Sequence, residues 1–369
     1  MTAVRPLGFL LLPALLLASA GAAPASALKS FKAWLAGCDN TLACRALGTV
    51  GEDSGDILYL VLDRPGGPQA APTLRFMDQD GAIGAKGLAY SLDGAAPVEI
   101  PASAFSALPK TDPDAAAEVA LSGTAATDLI AAIRNGRTLR FGAGAPLPTD
   151  GLPVSLDGMA AALLFIDDVQ GRVGTVTALA RKGDKPAAAV PPAPAAPLIA
   201  AVHPPKAAAD AADAPAPKAL IARHVRETKA GECQDIDQEK DVVSSAQRLS
   251  DQETLYQIGC WRAAYQSGAM LYLGVPSAPA AARRLVFETL DEATGKIAAR
   301  LASPTDPSEV DEAGVMASFH KGRGIGDCGA SWSWAWTGRD FRLASYTSMP
   351  ECRGIAADDW ITLWQARTK

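Results

Sequence analysis

Histidine is nearly missing from this chain, with three in 369 residues. None lies within a few residues of a cysteine, so a zinc site has little to build with and no metal is expected. No two cysteines stand in C-x-x-C spacing, which argues against thioredoxin-like redox chemistry. There is no G-x-S-x-G, and no local pattern ties a Ser or Cys to a His, so nucleophilic catalysis has no foothold. Charge of one sign never runs together. Lys and Arg number 34 against 40 Asp and Glu, for a net charge of −6. Without a basic stripe, nucleic acid and anionic lipid are poor partners. Nor does any apolar run reach the ~20 residues that a membrane-spanning helix needs.

What is present begins with the layout of an export signal. Arg5 supplies a short positive region, Leu7 to Ala18 form an apolar run interrupted by Pro13, and Ala25-Ser26-Ala27 offers small residues for cleavage. Residues 1–27 are therefore expected to be removed, leaving no membrane span and placing the protein in the periplasm or outside the cell. Six cysteines, Cys38, Cys44, Cys233, Cys260, Cys328 and Cys352, suit that oxidising destination. Cys38 and Cys44 would close a tight loop. The other four allow three pairings, of which Cys233–Cys260 with Cys328–Cys352 is favoured, each worth ~2–4 kcal/mol through loop closure.

Residues 183–222 contain seventeen Ala and nine Pro and no aromatic residue. Such density of proline predicts a disordered or extended spacer. It divides the chain into a first portion, 28–182, and a second, 223–369. The fold class expected is α+β: two domains rich in antiparallel sheet, free to move independently.

In the first portion, Ile57–Leu62, Leu74–Met77 and the alternating Leu139 and Phe141 read as strands. Thr127–Arg134 reads as a helix stopped by Asn135-Gly136, and Met159–Ile166 as a buried helix capped by Asp157. The second portion is mainly strand: Leu255–Trp261, Met270–Leu273, Leu285–Leu290, Val315–Phe319, Ser331–Trp336, Phe341–Tyr346 and Ile361–Trp364. Ser250-Asp-Gln-Glu253 has the pattern of a capping box and predicts a helical turn.

The segment Gly322–Trp336, GRGIGDCGASWSWAW, holds the main candidates. Gly324, Gly326 and Gly329 spell G-x-G-x-x-G, but a dinucleotide fingerprint needs a helix next, and Ala-Ser-Trp-Ser-Trp-Ala-Trp is strand-forming. Cys328 sits inside the motif, and exported proteins rarely meet nicotinamide cofactors. A disulfide-bearing turn is the reading, and no cofactor is expected. Trp332, Trp334 and Trp336 have period two and face one side of a strand. They are either a platform for sugar rings or peptide, or, the favoured alternative, domain core.

Asp327 and Asp340 flank that strand, and Asp167-Asp168 end a helix; caps and turns account for all four more simply than a hydrolase pair. Asp78-Gln-Asp80-Gly81 imitates the start of a calcium loop without its later ligands and reads as a turn. His320 reads as a hydrogen-bonded core histidine. Asp327, Trp332, Trp334 and Trp336 remain the candidate ligand contacts, with no catalytic residue assigned.

Two stretches together resemble a known family. Phe31-Lys-Ala-Trp34-Leu-Ala-Gly-Cys38-Asp39-Asn40-Thr-Leu-Ala-Cys44-Arg-Ala46 looks like the opening of the bacterial DUF1176 family. So do Leu255-Tyr-Gln-Ile-Gly-Cys260-Trp-Arg-Ala-Ala-Tyr265, Gly322–Gly329, Cys352-Arg-Gly354 and the Trp360/Trp364 ending. One departure is Ala263-Ala264 where the family has Gly-Ala, with Gln266 in place of its Asn. The first portion is also faintly similar to the invasion-associated locus B family, through its early Cys pair, a helix ending in Asn-Gly, and Pro153-Val-Ser-Leu-Asp-Gly158. DUF1176 members have no established biochemical activity, so that resemblance names none, while the second implies an envelope-associated role. Fold likeness carries no site by itself. The expected function is a disulfide-stabilised binding or interaction protein of the cell envelope, not an enzyme, whose partner is an envelope protein or glycan. The alternative is an enzyme, or enzyme inhibitor, acting on cell-wall polysaccharide through the Trp332/Trp334/Trp336 strand.

Overall fold

A computed structural model describes residues 27–49, 59–78, 82–108, 117–147, 152–205, 215–228, 233, 242–292 and 294–369. Residues 1–26 of the expected export signal (1–27), Ile57 and Leu58 of the first expected strand, and Gln79–Gly81 of the calcium-like turn lie outside the described residues.

The first portion runs β1 (Ala27–Phe31), β2 (Trp34–Cys38), β3 (Cys44–Thr49), β4 (Tyr59–Arg64), β5 (Thr73–Asp78), α1 (Ala82–Lys86), β6 (Leu88–Leu92), β7 (Val98–Ile100) and β8 (Phe105–Ala107). It continues with β9 (Ala117–Ser122), α2 (Gly123–Ile133), β10 (Thr138–Ala143), β11 (Val154–Ser155) and α3 (Met159–Val169). Seven strands form one antiparallel sheet in the order β1-β2-β3-β4-β5-β9-β8, and four form a second, β11-β10-β6-β7.

Alternation along β4 assigns the two faces of the large sheet. Leu60 and Leu62, with Leu74 and Phe76 of β5, pack on Ala126, Leu129, Ile130 and Ile133 of α2 and on Leu163 and Ile166 of α3. Tyr59 and Val61 point the other way and join Leu35 and Leu47 in a different cluster. Each such leucine, fully buried, contributes about 2 kcal/mol.

Two details of the helices differ from expectation. Asp157 does not cap α3; Gly158 occupies that position at φ +102° with no side-chain cap. A Cβ there would lie 1.7 Å from the Phe31 carbonyl oxygen, so only glycine fits. Asp157 pairs instead with Lys32, 3.5 Å away. Nor is α3 buried all round, because Leu164 is 41% exposed. Asp167, by contrast, is no solvated helix end: it is fully buried, accepts from the amides of Leu179 and Ala180, and pairs with Arg64.

The chain then supplies β12 (Leu198–Ile199), α4 (Lys218–Glu227), β13 (Ser244–Arg248), β14 (Thr254–Arg262), β15 (Ser267–Gly274), β16 (Arg283–Arg284), β17 (Phe287–Asp291) and β18 (Lys296–Leu301). Last come β19 (Val315–Lys321), β20 (Gly329–Trp336), β21 (Phe341–Met349), β22 (Ile361–Gln365) and β23 (Arg367–Thr368). The sheets are β13-β14-β15-β16, β17-β18 and β19-β20-β21-β22, all antiparallel, plus a parallel pair, β12-β23. The protein is thus mostly antiparallel β-sheet with four helices among the described residues. Ser250 starts no helical turn; its hydroxyl accepts from the amides of Gln252 and Glu253 within the β13–β14 hairpin.

The Ala/Pro-rich stretch is not a free spacer over its first half. β12 pairs with β23, the Val202 amide donates to the Trp336 carbonyl, and the Ala201 amide donates to that of Lys369. Prolines remove donors at some positions, yet Leu198, Ile199, Ala201 and Val202 keep theirs. Residues 206–214 lie outside the described residues, and α4 begins at Lys218. Leu35, Leu47, Tyr59 and Val61 share one buried cluster with Leu255, Trp334, Trp336, Trp360 and Leu363. The open face of the first sheet therefore meets the second portion through common core.

Candidate functional site

All three disulfides form in the favoured pairing: Cys38–Cys44, Cys233–Cys260 and Cys328–Cys352. The glycine-rich segment is the turn between β19 and β20, closed by the Gly322 amide donating to the Cys328 carbonyl at 2.7 Å. Gly329, at φ +138°, begins a strand and no helix; a Cβ there would lie 1.8 Å from the His320 carbonyl oxygen. Its φ and that close approach both require glycine.

Asp327 staples this turn. It is 5% exposed, receives Arg323 Nε and Nη2 at 2.7 and 2.6 Å, and accepts the Gly354 amide at 2.7 Å. The Arg323 hydrogen bonds hold its carboxyl below the usual carboxylate range, against the opposing effect of burial. Asp327, Cys328 and Cys352 lie close together, but both sulfurs are spent in the disulfide and cannot act as thiolate ligands. Asp340 holds a turn by accepting from the Thr337 hydroxyl. His320 contacts the Thr305 hydroxyl at 3.3 Å, a structural bond.

The tryptophan strand faces inward. Trp334 and Trp336 are 0% and 1% exposed. Trp332 is half-buried, stacks on Trp334, packs on Tyr346 and donates its indole N–H to Thr289. A ladder of three rings is therefore not presented to solvent.

The motifs that prompted the family resemblance join the two portions. Asp39-Asn40-Thr41, inside the Cys38–Cys44 loop, grips Gln365 of β22: Asn40 Nδ2 donates to the Gln365 carbonyl at 3.0 Å, and the Gln365 amide donates to Asn40 Oδ1 at 2.8 Å. Beside this clamp, on the same sheet face, Arg75 of β5 bonds Asp63, Glu118 and Asp359, while Arg45 bonds Asp63. Tyr59 donates to Asp359 at 2.7 Å. Burial, reinforced by the nearby Asp359 carboxylate, pushes the Glu118 carboxyl up to about 7. Burial also opposes ionisation of Asp359, yet Arg75 and the Tyr59 hydroxyl hold its carboxyl below the ordinary value.

This architecture leaves a broad concavity in the second portion. A trough of about 930 Å³ runs over the β13–β15 face, within the range of ligand sites. Gln257, Trp261, Arg262, Ser245, Ser267 and Asp306 contribute to its lining. A bulge between Gly259 and Trp261 re-aims the indole, which lies directly on Gly268: a Cβ at that position would be 1.9 Å from Trp261 Nε1. Asp306 sits at φ +39° and is fixed there by the Ser267 amide and hydroxyl, which both donate to its carboxylate. Val243 and Tyr265, 67% and 71% exposed, stand on the trough wall and at the adjoining hairpin tip.

That tip is anchored to the glycine-rich turn. Gln266 donates to the Lys321 carbonyl and accepts its amide at 3.1 and 2.8 Å, and the Tyr265 ring lies against Gly324. Gln266, though not the family's usual Asn, makes a complete two-way bond. Sequence reasoning singled out this turn as a family motif but missed the trough. Gly268 behind Trp261 was the available signal, and it reads only once register is known.

The protein family described as "Protein of unknown function (DUF1176)" matches residues 28–367. The chain belongs to the DUF1176 family. A curated relative, "Uncharacterized protein YpfG" of Escherichia coli (strain K12), is 33% identical over 225 residues, covering 58% of this DUF1176 chain and 60% of the relative. The match thus spans less than two thirds of that protein's length. Among solved structures, the invasion associated protein b of Bartonella henselae is similar at a TM-score of 0.29 and 17% identity, over 39% of this chain and 98% of that one. A likeness so weak carries no argument about DUF1176 function.

Proposed function

We propose that the protein is an exported, non-enzymatic binding protein of the bacterial cell envelope that holds its ligand in the trough over β13–β15. The observation that carries this is a roomy concavity with an exposed apolar rim at Val243 and Tyr265, built on sheet and braced from behind by the Gln266–Lys321 bond. Rigid support of this kind suits recognition. Three disulfides and the expected export signal support a periplasmic or secreted location. The carboxylates once open to an acid–base role have other work: Asp327 serves Arg323 and Gly354, and Asp340 serves Thr337. That weighs against a polysaccharide-cleaving enzyme, as does the burial of Trp334 and Trp336.

Ala264 lines the trough and is exposed, so it is the place for a photo-crosslinking residue. Irradiation in intact envelopes should give an adduct from position 264 and none from a control probe at exposed Val176. Equal yields from both positions, or none from 264, would sink the reading.

A further inference from the structure

Resting on that reading of the trough, we infer that its ligand is a glycan and that Trp261 is the platform on which a pyranose ring stacks. The chain's seven tryptophans make the comparison. Trp34, Trp332, Trp334, Trp360 and Trp364 each donate the indole N–H to a protein oxygen. Trp336 is fully buried with its N–H unpaired. Trp261 alone is partly exposed and has no hydrogen-bond partner for its N–H among the described residues.

Geometry makes that ring a shelf. One face of the indole rests on the Gly268 backbone, where any side chain would collide with it, and the residue lines the open trough. A flat π-face carries negative charge, and the C–H groups on one side of a pyranose carry partial positive charge, so the two attract while apolar area is buried.

Sugar hydroxyls also need donors and acceptors around the shelf. Arg262 and Ser245 line the same trough, and neither side chain has a hydrogen-bond partner among the described residues. The Asp306 carboxylate beside them uses one oxygen for both Ser267 bonds. A planar fork of donors, a carboxylate and a hydroxyl around an aromatic plane match the alternating polar rim and apolar face of a pyranose. Nucleobases stack on indoles too, but this chain carries a net charge of −6 and has no basic stripe to follow a phosphate backbone. A purely apolar ligand would leave Arg262 and Asp306 desolvated without compensation.

The test uses the mature full-length protein and two probes: chitotetraose and peptide-free glycan strands released from peptidoglycan. Calorimetric titration should give saturable binding of at least one. Trp261→Ala should weaken it about tenfold or more, and Trp261→Tyr should retain it within about threefold. Gly268→Ala, which lifts the shelf, should weaken it as Trp261→Ala does. If Trp261→Ala fails to fold, the Trp261→Tyr and Gly268→Ala pair decides, since only a stacking role separates them in this way. Absence of binding of both probes at millimolar concentration overturns the glycan assignment, and so does binding that Trp261→Ala and Gly268→Ala leave unchanged. An adduct to an envelope protein from position 264, with no glycan binding, would overturn the assignment while leaving the trough as the binding site. No adduct and no binding would overturn both.

Discussion

Asn40 and Gln365, separated by 325 positions in the chain, exchange hydrogen bonds in both directions, the side-chain amide of one matching the backbone of the other. Asn40 is positioned by the Cys38–Cys44 loop, whose Asp39 carboxylate accepts from the Thr41 and Ala43 amides. The loop is thus a preformed clamp on the last long strand. Asn40→Ala leaves the Gln365 amide and carbonyl without that partner and should cost about 1–3 kcal/mol. Thermal unfolding should show a midpoint lower by several degrees.

The ion network beside the clamp predicts a pH dependence. Glu118 binds its proton more tightly in the fold than its ordinary value of 4.5 implies, so its contribution stabilises at low pH and is lost as pH rises from about 4.5 through about 7. Asp359 and Asp327 lie below their ordinary value of 3.8; their contributions are present above it and are lost as pH falls below it. Stability should therefore peak between about pH 3.8 and pH 4.5, with Glu118→Gln flattening the decline toward pH 8. Denaturant midpoints between pH 3 and pH 8 measure both limbs.

Asp327→Asn should act on stability and leave recognition alone. It weakens the Arg323 pair and the Gly354 bond, at about 1–3 kcal/mol for a buried charge-assisted contact. Affinity for the trough's ligand should change less than threefold. A large loss of binding at unchanged stability would return Asp327 to the list of ligand contacts.

Thiol titration of the unreduced mature protein should find no free cysteine, in keeping with three disulfides. Reduction should lower the melting midpoint markedly. Each bond is worth roughly 2–4 kcal/mol if its loop is constrained in the unfolded chain. One reactive thiol in the folded protein would contradict the pairing.

Much of this fold is legible in the sequence because its strands are short apolar runs between turn residues. All seven runs of the second portion became strands, β14, β15, β17, β19, β20, β21 and β22. β13 (SSAQR), β16 (RR) and β23 (RT) carry no apolar pattern, and neighbouring strands supply the reason they are extended. α4 (KALIARHVRE) starts inside proline-rich sequence that masks it. The shared core was unreadable for another reason: Tyr59 and Val61 look like the second face of a strand, and nothing local says that face is covered. The trough depends on Trp261, set just past the β14 bulge, and Asp306, in a segment bridged to β15 at Gly268, lining one concavity, a relation that periodicity cannot encode.

Filling the trough asks whether the ligand is held there. Ser245→Trp on β13 places a bulky ring in the space that a ligand would take. With the position 264 probe in the same chain, the envelope adduct should be lost while the melting midpoint stays within about two degrees of the parent. An adduct of undiminished yield in the folded Ser245→Trp protein would contradict it.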